Sequence, residues 1–362
     1  MTAAFTTSRS VSAVARAAGV LRAGAALAIR DANGATVLVL AVETADDAGL
    51  ASLRNAGAVR LVLTHERAAT LKIRLYTPDV VALPVAADAR MDWLRTIADP
   101  TADLAAPLKG PFQAERAALP QGLASAVKLT KLAGLLPAVV AVAVENAPPG
   151  VMAIAADDIT GYDDEIVRTL TLVARTRVPL DGAEKTEIAA FRPADGGPEH
   201  YAIIIGAPSA DSAVLTRLHS ECFTGDLLAS LKCDCGEQLR GAIKLIANSG
   251  GGILLYLAQE GRGIGLINKL RAYRLQDQGF DTMDANERLG FAADERRFGI
   301  AARMLTLLGY SKIRLLTNNP FKVEALTASG ITVAERVPHA FASNRHNHAY
   351  LATKAEKGGH LL

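Results

Sequence analysis

The chain has 362 residues and three cysteines, Cys222, Cys233 and Cys235, all within fourteen positions. So low and odd a count builds no disulfide framework and points to a reducing compartment, so a cytoplasmic location is expected. Thiols at C-x10-C-x-C spacing suit zinc rather than a hard cation. A structural zinc site normally closes with four protein ligands, whereas three leave one position for water, as at a catalytic centre. Zinc lowers the pKa of such a water to about 7, which makes a hydroxide nucleophile at neutral pH. Two plainer readings stand beside this one: a closed site with His219 as fourth ligand, and three ordinary buried cysteines.

The sequence around the thiols narrows the chemistry. His219-x-Glu221 imitates the first half of the nucleobase deaminase signature, but its P-C-x-x-C half is missing, since C-x-C stands there instead. Glu221 keeps a possible acid/base role beside the metal. A second group, Glu260-Gly261-Arg262-Gly263-Ile264-Gly265, follows an expected strand and opens an expected helix. Glycine permits close backbone approach, a helix N-terminus favours anions, and a guanidinium binds phosphate bidentately. This loop matches neither the Walker pattern nor the dinucleotide fingerprint. Asp294-Glu295-Arg296 at an expected helix start reads first as a cap. Thr317-Asn318-Asn319-Pro320-x-Lys322 reads first as a turn, although a hydroxyl and an ammonium there also suit phosphate oxygens. Together these groups suggest hydrolysis of a phosphorylated substrate.

Elements able to carry such groups follow from the pattern. Apolar residues make up 50% and charged residues 21%, which excludes disordered and low-complexity classes. The formal net charge is only +2, so neither nucleic acid nor an anionic membrane is an expected partner. The longest apolar run, 133–144, is too short to span a bilayer. Length argues for two domains. β-Branched runs at Thr36–Val42 and Ala138–Val144 predict buried strands, and Ala124–Leu135 and Gly49–Gly57 predict short helices. The basic stretch with Arg9, Arg16 and Arg22 resembles a transit peptide in composition, but the first amphipathic helix of the domain is the favoured reading. Beyond a Pro- and Gly-containing connector at 181–198, strands alternate with helices: strands at Tyr201–Gly206, Ala213–Leu218, Gly252–Leu257, Ile313–Leu316 and Ile331–Val337, helices at Glu237–Asn248, Ile264–Gln278, Asp294–Leu308 and Pro320–Ala328. A further helix is expected from Asp226. The fold class is therefore α/β with mixed sheets in two domains, 1–180 and 199–362.

On these residues the second region resembles GTP cyclohydrolase II, the zinc enzyme that opens riboflavin biosynthesis. The matching stretches are Arg217-Leu-His-Ser-Glu-Cys-Phe-Thr-Gly-Asp226, Ser230-Leu-Lys-Cys-Asp-Cys-Gly-Glu-Gln-Leu239, Gln259-Glu-Gly-Arg-Gly-Ile-Gly-Leu266, Asn268-Lys-Leu-Arg-Ala-Tyr273, Leu289-Gly-Phe-Ala-Ala-Asp-Glu-Arg296 and Leu315-Leu-Thr-Asn-Asn-Pro320. The tail, Asn347-x-x-Tyr350-Leu-x-Thr-Lys354 and Gly359-His-Leu-Leu362, resembles family tails as well. The resemblance implies that Cys222, Cys233 and Cys235 hold zinc, whose hydroxide attacks C8 of guanine and then releases formate. It places Arg217, Leu218, His219, Ser220, Glu221, Gln238, Glu260, Gly261, Arg262, Thr282, Thr317 and Lys322 among the GTP contacts. Arg296 matches an arginine proposed as nucleophile at the α-phosphorus, Asp294 an acid assisting it, and Tyr273 a tyrosine tied to ring opening. Arginine's pKa above 12 makes electrostatic stabilisation the physically easier role for Arg296. Mg²⁺ would accompany the triphosphate, and a homodimer is implied.

Residues 1–180 resemble, more distantly, 3,4-dihydroxy-2-butanone 4-phosphate synthase, through Leu132-Ala-Gly-Leu135 with Pro137-Ala-Val-Val and through Ile159-Thr-Gly-Tyr162. That chemistry needs an acidic cluster and a histidine-threonine-glutamate triplet. Here the first position reads Asp31-Ala-Asn-Gly-Ala-Thr36 and the second falls near Gly122-Leu-Ala124, so Mg²⁺ binding and proton abstraction have no agent. The region is expected to be an inactive relative kept for folding, dimerisation or regulation. Competing readings are a paralogue stopping at the formamide, a bifunctional enzyme, and a zinc-stabilised nucleotide-binding protein without turnover.

Overall fold

A computed structural model describes residues 9–341 together with 345, 347, 348 and 359. The remainder of the expected family tail, including Tyr350 to Lys354 and His360 to Leu362, lies outside the described residues. In chain order the elements are α1 (Arg9–Arg22), β1 (Leu27–Arg30), β2 (Thr36–Ala41), α2 (Asp47–Ala56), β3 (Arg60–Thr64), α3 (His65–Thr70), β4 (Val80–Pro84), α4 (Met91–Ala98), α5 (Gln121–Leu132), β5 (Ala138–Val144), β6 (Met152–Ala155), α6 (Ala156–Thr160) and α7 (Tyr162–Thr169). They continue with β7 (Thr171–Arg177), β8 (Thr186–Arg192), β9 (His200–Gly206), β10 (Val214–Ser220), α8 (Cys235–Asn248), β11 (Gly251–Leu257), α9 (Gly265–Asp277), α10 (Thr282–Arg288), α11 (Gly299–Leu307), β12 (Lys312–Leu316), α12 (Pro320–Ala328) and β13 (Thr332–Val337).

The chain divides into two compact units that do not follow its order. The front unit comprises Met1–Glu165 plus an excursion, Ile267–Glu295, and the second unit comprises Ile166–Leu266 plus Arg296–Leu362. The fold class is α/β, with one mixed sheet in each.

In the front unit six strands run in the order β4-β3-β5-β2-β1-β6, antiparallel except for the parallel pair β1–β6. Every residue of β2 is buried, as its unbroken β-branched run predicts. Helix α1 sinks Val11, Val14, Ala17, Ala18 and Leu21 into this core, so the basic stretch from residue 9 is the amphipathic helix that its spacing suggests.

The second sheet runs β13-β12-β10-β11-β9-β8-β7. Strands β13, β12, β10 and β11 are mutually parallel, and β9, β8 and β7 add an antiparallel flank. Helices α11 and α12 cover one face around Phe191, Leu218, Leu255 and Met304, while α8 covers the other around Leu215, Ala242, Ile246 and Leu254. Residues 181–198, expected as a linker, hold β8, and β7 precedes it within the same sheet. Edge strand β7 is exposed throughout, so no buried face marks it in the sequence.

Two further expectations change. The helix expected from Asp226 is instead a single π turn at Phe223–Leu227, at whose start the amide of Asp226 donates to the Cys222 carbonyl at 2.7 Å. The helix expected from Asp294 begins only at Gly299, so Asp294 and Arg296 lie in irregular backbone before it rather than in its first turn.

Candidate active site

Parallel strands open their carboxyl ends to one side of a sheet, where ligands of α/β proteins usually bind. In the second unit three chemically loaded turns leave such ends: Glu221-Cys222 after β10, Gln259 to Arg262 after β11, and Thr317-Asn318 after β12.

Strand β10 supplies two groups on one face, because residues two apart share a side. Arg217 is buried; its Nη1 donates to the Leu316 carbonyl at 3.0 Å and its Nη2 donates to Gln238 Oε1 of α8, while its Nε has no acceptor. Burial lowers its pKa to about 10, opposed by Asp234 and Cys235, so it stays cationic at neutral pH. His219, two residues on, faces both carboxylate oxygens of Asp226 with Nε2 at 3.0 Å. Its Nδ1 is buried without a partner. Burial lowers the His219 pKa despite the Asp226 carboxylate, so the ring is neutral at neutral pH with its proton on the Asp226 side.

Asp226 is the hub of this network. It also accepts from the Tyr256 hydroxyl at 3.0 Å and from the Cys222 amide at 3.0 Å. Tyr256 is His219's register partner across β10–β11, and the two rings stack at 5.6 Å. The backbone of Cys222 is therefore fixed by a carboxylate that is itself fixed by two ring groups. Sequence reasoning assigned Asp226 and Tyr256 no role; their link spans thirty residues and becomes visible only through strand pairing.

The three thiols meet under this turn. Their sulfurs all lie within 4.8 Å of one another, and Cys222 Sγ to Cys233 Sγ is 3.8 Å. Zinc–sulfur bonds of about 2.3 Å in a tetrahedron imply a sulfur–sulfur edge of about 3.8 Å, so the donors fit the ion. Gly225 sits against all of them: a Cβ there would lie 2.8 Å from Cys233 Sγ and 3.0 Å from Cys222 Sγ. Its amide donates to Cys222 Sγ at 3.3 Å, a contact that favours thiolate. The neighbouring Cys222 thiol pushes Cys233 up to about 11, and Cys222 and Cys233 push Cys235 well above its ordinary value. A divalent cation reverses that preference, because coordination demands thiolate. Among the described residues no fourth His, Cys, Asp or Glu joins the cluster, and His219 is committed to Asp226. The arrangement can hold a metal through three sulfurs.

The other expected residues surround β10. Ser220 Oγ accepts from Gln259 Nε2 at 2.9 Å and from Arg296 Nη1 at 3.5 Å. Glu260 reaches back so that its Oε2 accepts from the Phe223 amide at 2.6 Å. Gly261 and Arg262 both have φ near +60°, at 63° and 62°. That conformation costs a side-chain-bearing residue of order 1 kcal/mol, a strain typical of ligand loops. Lys322 Nζ donates to the Leu218 carbonyl at 2.8 Å, and the Leu218 side chain lies in the apolar core, so Leu218 can meet a ligand only through its backbone. Thr317 is buried and its Oγ1 accepts from the Asn319 amide at 3.0 Å. Three expected residues, Tyr273, Thr282 and Asp294, lie instead in the excursion that packs with the front unit. Lys269 Nζ sits 5.6 Å from the centroid of the Tyr273 ring, and Thr282 Oγ1 accepts from Gln276 Nε2 at 3.2 Å.

Comparison with known proteins decides the family. A family profile described as GTP cyclohydrolase II matches residues 171–338. GTP cyclohydrolase-2 of Azospirillum brasilense is 51% identical over 97% of this chain and 94% of its own. The chain belongs to the GTP cyclohydrolase II family. It is thus an enzyme of a hydrolase family whose members differ in length: GTP cyclohydrolase-2 of Escherichia coli K12 is 54% identical over 193 residues, which are 98% of that protein but 53% of this chain. A solved structure of a two-domain 3,4-dihydroxy-2-butanone 4-phosphate synthase from A. baumannii covers 91% of this chain and 99% of its own, at 19% identity and a TM-score of 0.36. Among the described residues no helix is long and apolar enough to cross a membrane.

Proposed function

We propose that this chain hydrolyses GTP to 2,5-diamino-6-hydroxy-4-(5-phosphoribosylamino)pyrimidine, formate and pyrophosphate, the first committed step of riboflavin biosynthesis. The observation that carries the reading is the three-sulfur cluster beside a buried cation and a buried imidazole that each keep one unpartnered nitrogen. Buried polar atoms are rarely left unpaired unless a ligand completes them. A zinc ion held by Cys222, Cys233 and Cys235 supplies Lewis acidity and an acidified water.

The chain's own residues do the rest. Arg217 and Lys322 offer positive charge from buried positions, which strengthens their pull on phosphate oxygens. Gly261, Arg262 and Thr317 add backbone and side-chain donors to the same end of the sheet. Glu221, next to Cys222 in the chain, serves as acid/base at C8, with Tyr273 assisting ring opening. Arg296 stabilises charge as the bond to the α-phosphorus breaks and pyrophosphate leaves, assisted by Asp294. Mg²⁺ bound by the triphosphate belongs to this reading, as do a cytoplasmic location and a homodimer, for which the exposed Leu227, Leu228 and Leu231 are suited. The front unit is read as having no synthase activity. Asp31 Oδ1 is spent on the β1–β2 turn, accepting from the amides of Asn33 and Ala35, and Gly122 and Leu123 are packed into the core.

The test is incubation of the zinc-loaded chain with GTP, following formate and pyrophosphate separately. Both products are expected. Pyrophosphate without formate would reassign the chain to a paralogue that stops at the formamide, and neither product would refute turnover. Cys233→Ser should remove bound zinc and abolish formate release; a variant releasing formate at the wild-type rate would refute the metal assignment.

A further inference from the structure

The excursion Ile267–Glu295 carries Tyr273, Thr282 and Asp294, yet it is part of the front unit. The excursion buries Ala272, Leu275, Ala285, Leu289 and Phe291, but at its start Ile267 and Leu270 are 61% and 51% exposed while Asn268 and Lys269 are buried. Directed polar contacts fix its two ends. Near its start, Arg271 grips Glu43 through Nη2 to Oε1 at 2.8 Å and Nη1 to Oε2 at 3.2 Å, the two-pronged geometry that fixes orientation as well as charge. Glu43 is braced in turn, accepting from the Leu136 amide at 2.7 Å. Asn268 Nδ2 donates to the Gly134 carbonyl at 3.2 Å and its Oδ1 accepts from Arg271 at 2.7 Å. At the far end, Lys131 Nζ meets Glu295 Oε1 at 2.6 Å, and the same oxygen accepts from the Ala292 amide at 2.8 Å. Gly290 fits so closely that a Cβ would stand 2.8 Å from Pro137 Cγ and 2.9 Å from Thr64 Oγ1.

The two anchors bracket the residues that matter. Tyr273 follows Arg271 by two positions, and Glu295 lies between Asp294 and Arg296. The E. coli relative matches only about half of this chain with nearly its whole length.

We propose that in this chain the front unit is a clamp that positions the excursion for the GTP reaction, with Glu43 and Lys131 as the positioning residues. The proposal rests on the reading above, in which Tyr273 and Asp294 serve that reaction. A displacement of about 1 Å in reacting groups costs up to about a hundredfold in rate, and losing either anchor loosens one end of the excursion, although Arg271 keeps Asp99 at 3.6 Å.

The experiment uses the full zinc-loaded chain with Glu43→Ala, Lys131→Met and Lys131→Arg. For the first two, formate release is expected to fall about tenfold or more in kcat, with a smaller rise in KM. Zinc content should hold, and amide hydrogen exchange should speed up in 267–295 but not in β10 or β11. Lys131→Arg keeps the pairing with Glu295 and should restore both exchange and rate, which general destabilisation would not permit. Wild-type exchange in Glu43→Ala and Lys131→Met would overturn the clamp. So would faster exchange at an unchanged rate, since the seat would then not matter to chemistry. If the unmodified chain released neither product, the underlying reading would fail instead, and exchange alone would decide whether the anchors hold the excursion.

Discussion

The two units bury charge in opposite ways. In the front unit Arg67 is 1% exposed and closed: Nε donates to the Ile97 carbonyl, and Nη1 and Nη2 fork onto Asp103, which also pairs with buried Lys109. Burial opposes the Asp103 charge, but Arg67 and Lys109 prevail and hold its carboxyl below the usual range. In the second unit Arg217 is equally deep, yet its Nε is left without an acceptor, as is Nδ1 of His219. A closed cluster stabilises a fold and does nothing else; an open one forgoes part of that stability to keep a ligand's place. The contrast is between these two buried arginines rather than between whole units, since the front unit also leaves His65 Nε2 and Gln278 Oε1 buried without a partner.

Three measurements could break that contrast. The largest effect is expected from Gly225→Ala in the second unit. Its Cβ would stand within 3.0 Å of two sulfurs, so bound zinc, measured by metal analysis, should fall by at least about tenfold. Retention of one zinc per chain would mean that the sulfurs do not need this close approach. Next is Arg67→Met in the front unit, which removes the forked partner of Asp103, leaving it only Lys109, and takes the donor from the Ile97 carbonyl. It should cost about 3–5 kcal/mol in the urea transition reported by Trp93, the only tryptophan and a residue of α4, while zinc content stays unchanged. Zinc loss in that variant would erase the distinction between scaffold and site.

The smallest effect is the acid sensitivity of the second unit between about pH 6.5 and 4. His200 Nδ1 accepts from the Ala258 amide at 3.0 Å, and burial lowers its pKa from an ordinary 6.5 to about 4. Between those values the unfolded chain binds the proton and the folded one does not. The contribution is therefore complete above about pH 6.5 and lost as pH falls toward 4, about 3 kcal/mol in all. His339, also lowered to about 4 chiefly by burial, acts in the same window. His200→Asn, whose side-chain oxygen can replace the acceptor, should shallow the pH dependence of the second unit's urea midpoint, with His339 and His219 supplying the remainder. An unaltered pH profile would place the sensitivity elsewhere.

How much of this the sequence displayed depended on whether the cause was local. The three cysteines declared a thiol cluster able to hold a metal because their spacing makes them improbable as ordinary core, and β2, β5 and α12 were plain because a continuous apolar run or an Asn-Pro start is a local signal. Strand β7 was hidden because an exposed edge pairing needs no apolar face, and β8 because its buried Thr186, Ala189 and Phe191 do not alternate strictly. Helix α9 misled in the other direction. Of its apolar spacing at Ile264, Ile267, Leu270 and Leu275, the first and last are buried as expected, whereas Ile267 and Leu270 are exposed and Asn268 and Lys269 are buried in their place. The depth of Arg217 was equally illegible: an arginine in a strand reads as surface until strands on both sides and a helix above enclose it.

Because the chain leaves the front unit at Glu165 and returns at Ile267, assembly has an order in time. A ribosome adds about 5–20 residues per second, so the front unit waits many seconds with its last piece unmade. The seat around Glu43 and Lys131 stands open while β7 through β11 emerge, and it closes only when α9 and α10 arrive. Synthesis of the second unit is thus threaded through completion of the first, and a stalled or shortened nascent chain leaves both unfinished.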